Sequence, residues 1–362
     1  MKNIYSKLLY IIAITLSLFG ITMIYSASKV WSLYKYNNSY HFTLLQFIFF
    51  IAGLILINII SKIDYNKIKK YSNLILFISL ILLIIVLIPG IGVLRNGSRS
   101  WFKIGPIGFQ PSEITKIALI IFVSKYLSNN ENEMYSIKKG LLPILFIILI
   151  FLGIIMLEPD FGTAFIIGAT LITMIFISKT KISFFIKIFI LACISVFILI
   201  IIAPYRISRI MSFLNPWKDP LGSGFQIIQS LYAVGPSGIL GKGFLNSIQK
   251  YFYLPEPQTD FIFSIISEEL GIFGIIILDF LFISLYYISM KIFFKTKDLF
   301  GKYLVFGLSF GIILQALLNL FVVTGLIPVT GVTLPFISYG GSSLLVSMAS
   351  IGIILNISKS NY

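Results

Sequence analysis

Cysteine and histidine are almost missing from this chain, with one of each among 362 residues. Cys193 therefore has no partner for an intrachain disulfide or a thiolate–metal cluster. His41 alone leaves no histidine-built zinc site and no Ser-His-Asp triad. Charge is scarce as well. Asp, Glu, Lys and Arg make up 11% of the residues, against roughly 25% in a soluble globular protein. Only 13 residues are acidic, so the position of each carboxylate carries information. Alternating strand patterns, low-complexity linkers and a soluble domain are absent, and no internal repeat is evident.

What fills the chain is apolar. Hydrophobic residues make up 58% and the mean hydropathy is +0.99, with runs repeatedly reaching the ~20 residues that cross a ~30 Å hydrocarbon layer. A span must satisfy its own backbone polar groups, so the expected fold is an all-α polytopic membrane protein. Ten spans are expected, near 8–28, 42–61, 72–89, 112–127, 141–157, 161–178, 183–203, 262–290, 302–324 and 340–357. They form one membrane domain over residues 1–362. The proline in Glu158-Pro159-Asp160 divides a run too long for one helix. Lys2 and Lys7 precede an apolar stretch that ends near Ser26-Ala27-Ser28. That stretch is long enough to span and many spans follow, so it reads as the first span and not a cleaved signal peptide.

A net charge of +15 would suggest nucleic acid in a soluble protein. In a membrane protein it reads instead as lysine held on cytoplasmic loops. The lysine-rich segments 62–70, 125–139, 179–187 and 291–302 then lie inside, with both termini. A large extracytoplasmic loop, about 204–259, joins spans 7 and 8. All four arginines, Arg95, Arg99, Arg206 and Arg209, fall in two outer loops. Arginine grips phosphate through a planar fork that lysine lacks, so these residues, with Lys103, are candidate phosphate contacts. Trp101 beside them reads either as an interfacial anchor or as part of the same loop. Several outward span starts carry proline and a polar residue, which offers unpaired N–H groups to an anionic head group.

The polar segment that ends at residue 259 gives way to an apolar helix at Asp260. That carboxylate reads either as a helix cap or as a general base at a cavity mouth, with Glu256, Glu268 and Glu269 as nearby alternatives. Adjacent on a helix, Glu268 and Glu269 point about 100° apart and are not expected to face one cavity. Glu113 and Lys116 share a helix face and read as a structural ion pair or as a cavity lining. Asp160 carries the same two readings, cap or cavity carboxylate. The Gly/Pro-rich stretch 325–343 is too irregular for a span and reads as a re-entrant or broken segment that lines a cavity or packs on protein. The glycines near 222–243 lack the strand–turn–helix setting of a nucleotide site.

Together these blocks resemble the FtsW/RodA/SpoVE (SEDS) family of cell-wall polymerases nearly end to end. They are NGSRSW (96–101), FQPSEITK (109–116), EPDFGT (158–163), NPWKDP (215–220), GFQIIQS (224–230), 254–271 and 324–343. The forms at 215–217 and 254–260 look most like the sporulation and division branch. Gln258 stands where many relatives have histidine.

The resemblance implies ten spans and peptidoglycan glycosyltransferase activity. The substrate would be lipid II at the outer face of the bacterial cytoplasmic membrane, with undecaprenyl pyrophosphate leaving. It also implies a class B penicillin-binding transpeptidase as partner, and no nucleic acid. The essential aspartate of the family falls on Asp260, and its intramembrane pair on Glu113 and Lys116. One carboxylate base suits one inverting displacement at an anomeric carbon, and cations would balance the departing diphosphate. A divalent cation could assist, though no ligand cluster stands out. Two other classes stay open: a lipid II flippase with Glu113, Lys116 and Asp160 as a polar path, and a non-catalytic activator of the transpeptidase. The outward clustering of polar residues favours the polymerase.

Overall fold

The computed structural model describes residues 4–95, 97–105, 107–187, 190, 213–222 and 224–360. Arg206, Arg209, Cys193 and most of the expected span 183–203 lie outside the described residues. The helices are α1 (Ile4–Tyr36), α2 (His41–Ile60), α3 (Tyr65–Val86), α4 (Pro111–Asn129), α5 (Leu142–Leu157) and α6 (Phe161–Phe176). They continue with α7 (Phe225–Val234), α8 (Ile262–Lys295), α9 (Leu299–Val323) and α10 (Gly341–Ser360). Their starts follow from local chemistry. Asp64 and Asp298 cap α3 and α9 by accepting backbone N–H groups, and Pro111 occupies the first turn of α4, where its missing N–H costs nothing.

Seven helical segments among the described residues are long and apolar enough to cross a membrane, which makes this a multi-pass membrane protein. The segment containing α5 runs Ile137–Leu157. Large side chains such as Phe47 and Ile48 on α2, Phe77 and Ile78 on α3, and Phe146 and Leu149 on α5 face outward, as a hydrocarbon solvent requires. Helix α6 has 16 residues and is apolar but shorter. Helix α4 carries Glu113, Lys116 and Lys125 and packs against α3, α6 and α9. The helices at the centre are α9 and α10. In α10, 89% of the most apolar window is buried within the protein, and it contacts α1, α2 and α9.

Three features depart from the sequence reading. The loop expected around Arg95–Arg99 is a small antiparallel sheet of β1 (Val93–Arg95), β2 (Ser98–Ile104) and β3 (Ile107–Phe109), ordered β1-β2-β3. Its strands are only 3 to 7 residues long, below the length at which an alternating pattern stands out. Second, α1 has 33 residues, about 50 Å of helix, and so outruns the expected span 8–28. Its last turns bring Trp31 and Tyr34 against Phe252, with ring centroids 5.6 and 5.4 Å apart. Third, α8 is two helices joined at Gly271, whose φ of 63° breaks the helical path. Residues 238–243 fit into that break: the N–H of Ile272 donates to Gly238 O at 3.0 Å and that of Lys242 to Glu268 O at 2.9 Å. A Cβ at Gly271 would lie 2.4 Å from the backbone N of Gly241, so close approach as well as φ demands glycine there. The expected span 262–290 is therefore a short helix, 262–270, followed by a long one, 272–295.

Candidate active site

Asp260 sits one residue before the cap of α8. The cap is Phe261 and makes no side-chain hydrogen bond, so the capping reading of Asp260 is overturned. Its carboxylate makes no hydrogen bond to the described residues, whereas its backbone neighbourhood is fixed in detail. Asn319 of α9 donates through Nδ2 to Asp260 O (2.7 Å) and to Val332 O (2.8 Å). Ser338 Oγ donates to Thr259 O at 2.6 Å, and the N–H of Tyr339 donates to Gln258 O at 2.8 Å. The irregular segment 324–340 between α9 and α10 thus forms the wall against which Asp260 stands. A Cβ on Gly331 would lie 3.8 Å from Asp260 Oδ2, and the φ of Gly331 is +73°.

Two other carboxylates, Asp160 and Glu113, reach the same wall through neighbouring residues. Asp160 caps α6 by accepting the N–H of Thr163 at 3.1 Å, and its second oxygen accepts Gln110 Nε2 at 2.8 Å. The start of α6 abuts the wall so closely that a Cβ at Gly162 would be 2.5 Å from Val332 Cγ2 and 2.7 Å from Thr330 O. Below it, Lys116 Nζ bonds Glu113 Oε2 at 2.8 Å and Gln315 Oε1 at 2.7 Å. Gln315 Nε2 donates in turn to Thr333 O at 3.0 Å. Asp260, Asp160, Glu113 and Lys116, four residues singled out from sequence, therefore converge on residues 330–333.

Electrostatics separates these groups. Burial first, then the charges of Glu256 and Asp160, push the Asp260 carboxyl up to about 7. A carboxylate with that affinity for a proton is matched to accepting one near neutral pH. Burial also raises Asp160, with Glu113 adding to it and the bonds from Thr163 and Gln110 opposing it. Glu158, in the same α5–α6 turn, is fully buried with both carboxylate oxygens unpartnered. Burial and then Asp160 push it up to about 8.

The cationic loop is only partly drawn in. Ser98 Oγ donates to the carbonyl of Glu158, which ties β2 to the α5–α6 turn. Arg99 is directed toward the end of α3, its Nη1 3.4 Å from Leu87 O. Trp101, half-buried, stands opposite Val93 in the sheet, and Lys103 is exposed. The side chain of Arg95 lies outside the described residues, as do Arg206 and Arg209. Glu268 and Glu269, the alternative bases, are fully buried and paired with Lys242 (2.7 Å) and Lys250 (2.9 Å). No group of three or more His, Cys, Asp or Glu among the described residues is arranged to hold a metal ion.

Sequence reasoning missed Gln315 and Asn319, although a signal existed. They lie four apart, on one face of α9, in the apolar stretch that follows Ser309 in this 25-residue helix. Glu158 was read only as a helix boundary. Its chemistry depends on burial that no local pattern encodes.

The fold is thus that of a multi-pass membrane protein whose apolar helical bundle gathers several carboxylates around residues 330–333. The FtsW/RodA/SpoVE family pattern, described as "Cell cycle protein", matches residues 6–362, and the chain belongs to that family. It is 47% identical over 352 residues to "Stage V sporulation protein E" of Bacillus subtilis (strain 168), covering 97% of this chain and 96% of that one. To "Probable peptidoglycan glycosyltransferase FtsW" of Trichlorobacter lovleyi it is 40% identical, covering 98% and 93%. A solved structure described as "Structural coordination of polymerization and crosslinking by a peptidoglycan synthase complex" superposes with a TM-score of 0.81 at 27% identity, covering 98% and 97%.

Proposed function

We propose that this chain is a peptidoglycan glycosyltransferase that polymerises lipid II, with Asp260 as general base. The observation that carries the reading is the state of Asp260. It is the one sequence-predicted carboxylate at the wall that neither caps a helix nor joins an ion pair, and it is held at its backbone by Asn319 and flanked by Ser338 and Tyr339 bonds. In the proposed reaction Asp260 takes the proton of an acceptor sugar hydroxyl as that oxygen bonds the anomeric carbon of the donor. The carbon–oxygen bond to undecaprenyl pyrophosphate breaks, the electron pair leaves with the diphosphate, and the anomeric configuration inverts from α to β. The Lys116–Glu113 pair orients Gln315 against the 330–333 wall, and so acts on the shape of the site.

The finer topology belongs to the same proposal. Ten spans across the bacterial cytoplasmic membrane, with both termini cytoplasmic, set the sheet, the loop of about 204–259 and the α5–α6 turn on the outer face, where lipid-linked sugars are polymerised. Arg99 and Lys103, with Arg95, Arg206 and Arg209, are the proposed cations for the diphosphate. A class B penicillin-binding transpeptidase is the proposed partner. The relatives' names and the synthase-complex neighbour support both the activity and the partnership.

The test is glycan synthesis from lipid II by the purified chain, with and without the transpeptidase, for wild type and Asp260→Asn. Loss of polymer in the variant is expected. Undiminished polymer would remove Asp260 from the chemistry.

A further inference from the structure

Ten residues before Asp260 and nine after it, the chain is fastened to itself by buried charge. Lys250 Nζ lies 2.9 Å from Glu269 Oε1, with side chains 1% and 0% exposed. Ser26 Oγ of α1 stands 2.6 Å from both Glu269 oxygens, and the N–H of Ser247 donates to Glu269 at 3.1 Å. Beside it, Glu268 accepts Lys242 Nζ (2.7 Å), Ser247 Oγ (2.6 Å) and the N–H groups of Ile248 (3.1 Å) and Gln249 (3.3 Å). The two adjacent glutamates, expected to diverge, hold one short loop between them, because that loop wraps around the helix.

Such a cluster is an expensive way to gain stability. Apolar residues of similar volume usually serve as well or better than a buried ion pair, whereas directed bonds fix register. What is registered here is a closed ring, 247–269, with Asp260 at its far end. That far end is held by Asn319, Ser338 and Tyr339. The near end is held by the clasp, with the N–H groups of Lys242 and Gly243 on Glu268 O and Glu269 O and Phe252 against Trp31 and Tyr34 beside it. We propose that Lys250, Glu269 and Ser26, with Glu268 and Lys242, are positioning residues that set where Asp260 stands for proton transfer. The inference rests on the proposed role of Asp260 as base.

The test variant is Lys250→Met with Glu269→Gln, which removes both charges together and leaves none buried alone. Two cysteine pairs in a Cys193→Ser background report geometry without reference to activity. Trp31→Cys with Phe252→Cys reads the ring, where the native rings are 5.6 Å apart. Ser6→Cys with Ser358→Cys reads the far end of the bundle, where the hydroxyls are 2.8 Å apart. The expected result is slower cross-linking of the first pair only and a displaced acid limb in the pH–rate profile. The fall in kcat should be about 10- to 100-fold, the scale of a small misplacement of a catalytic group, with KM within about twofold. Ser26→Ala, which removes one donor and no charge, should move both readouts the same way by less. Unchanged cross-linking at 31–252 overturns the proposal, and so does slowed cross-linking with kcat intact. Asp260→Asn is assayed alongside: full activity there sinks the base assignment, while the cross-links still judge the clasp.

Discussion

Two sets of carboxylates stand at the same end of this bundle and are treated in opposite ways. Glu268 and Glu269 are saturated: each is fully buried, salt-bridged and supplied with backbone or hydroxyl donors. Asp260 and Glu158 are starved: neither carboxylate has a hydrogen-bond partner among the described residues, and burial has raised the proton affinity of both. Full satisfaction holds a structure, and withheld satisfaction leaves a group ready to react. Asp160 lies between, with a cap and a glutamine bond that only partly offset its burial.

The sharpest way to break this contrast is to neutralise one member of each set. Asp260→Asn should cut polymerisation by about 10²–10⁴-fold, the usual scale of a lost general base, measured as glycan from lipid II. Its thermal stability at pH 8 should not fall. The raised proton affinity means the folded chain keeps a proton that the unfolded chain releases near pH 4. Ionising Asp260 therefore costs stability as pH rises toward 7, and asparagine removes that cost. Glu269→Ala should do the reverse and strand Lys250 in a buried site. A loss of about 3–5 kcal/mol is expected, read as a lowered unfolding midpoint in detergent and poor accumulation in membranes. A midpoint equal to wild type would dissolve the contrast.

Acidity sharpens it further. The rate should fall about tenfold per pH unit below about 7, where an ordinary carboxylate base would hold its rate down to about pH 4. Because Glu256 contributes to the raised value, Glu256→Gln should move that limb to lower pH, and an unmoved limb would remove Glu256 from the site's electrostatics. The smallest effect belongs to Lys103→Ala. An exposed lysine is worth at most about 1 kcal/mol, so KM for lipid II should rise less than about fivefold with kcat unchanged.

Much of the fold was legible because hydrocarbon imposes a simple rule on every residue that touches it. Long apolar runs became α1, α2, α3, α8, α9 and α10, the proline at 159 ended a helix, and the stretch 325–343 proved too rich in glycine and proline to be a span. Asp260, Asp160, Glu113 and Lys116 could be singled out because charge is rare in such a chain and therefore conspicuous. The sheet at 93–109 escaped because its strands are too short to show a period. The break at Gly271 escaped because its cause is a loop that arrives from 30 residues earlier in sequence.

Composition and spacing alone determined that this chain lies in a membrane, where most of its long apolar helices run, and which few carboxylates merit attention. Whether a carboxylate reacts or braces was decided only in three dimensions. The proton affinity and partners of a side chain depend on what surrounds it in space: for Asp260 a wall from residues 330–333, and for Glu269 a lysine 19 residues away and a serine from the first helix. Neighbours that distant in sequence leave no trace in local pattern.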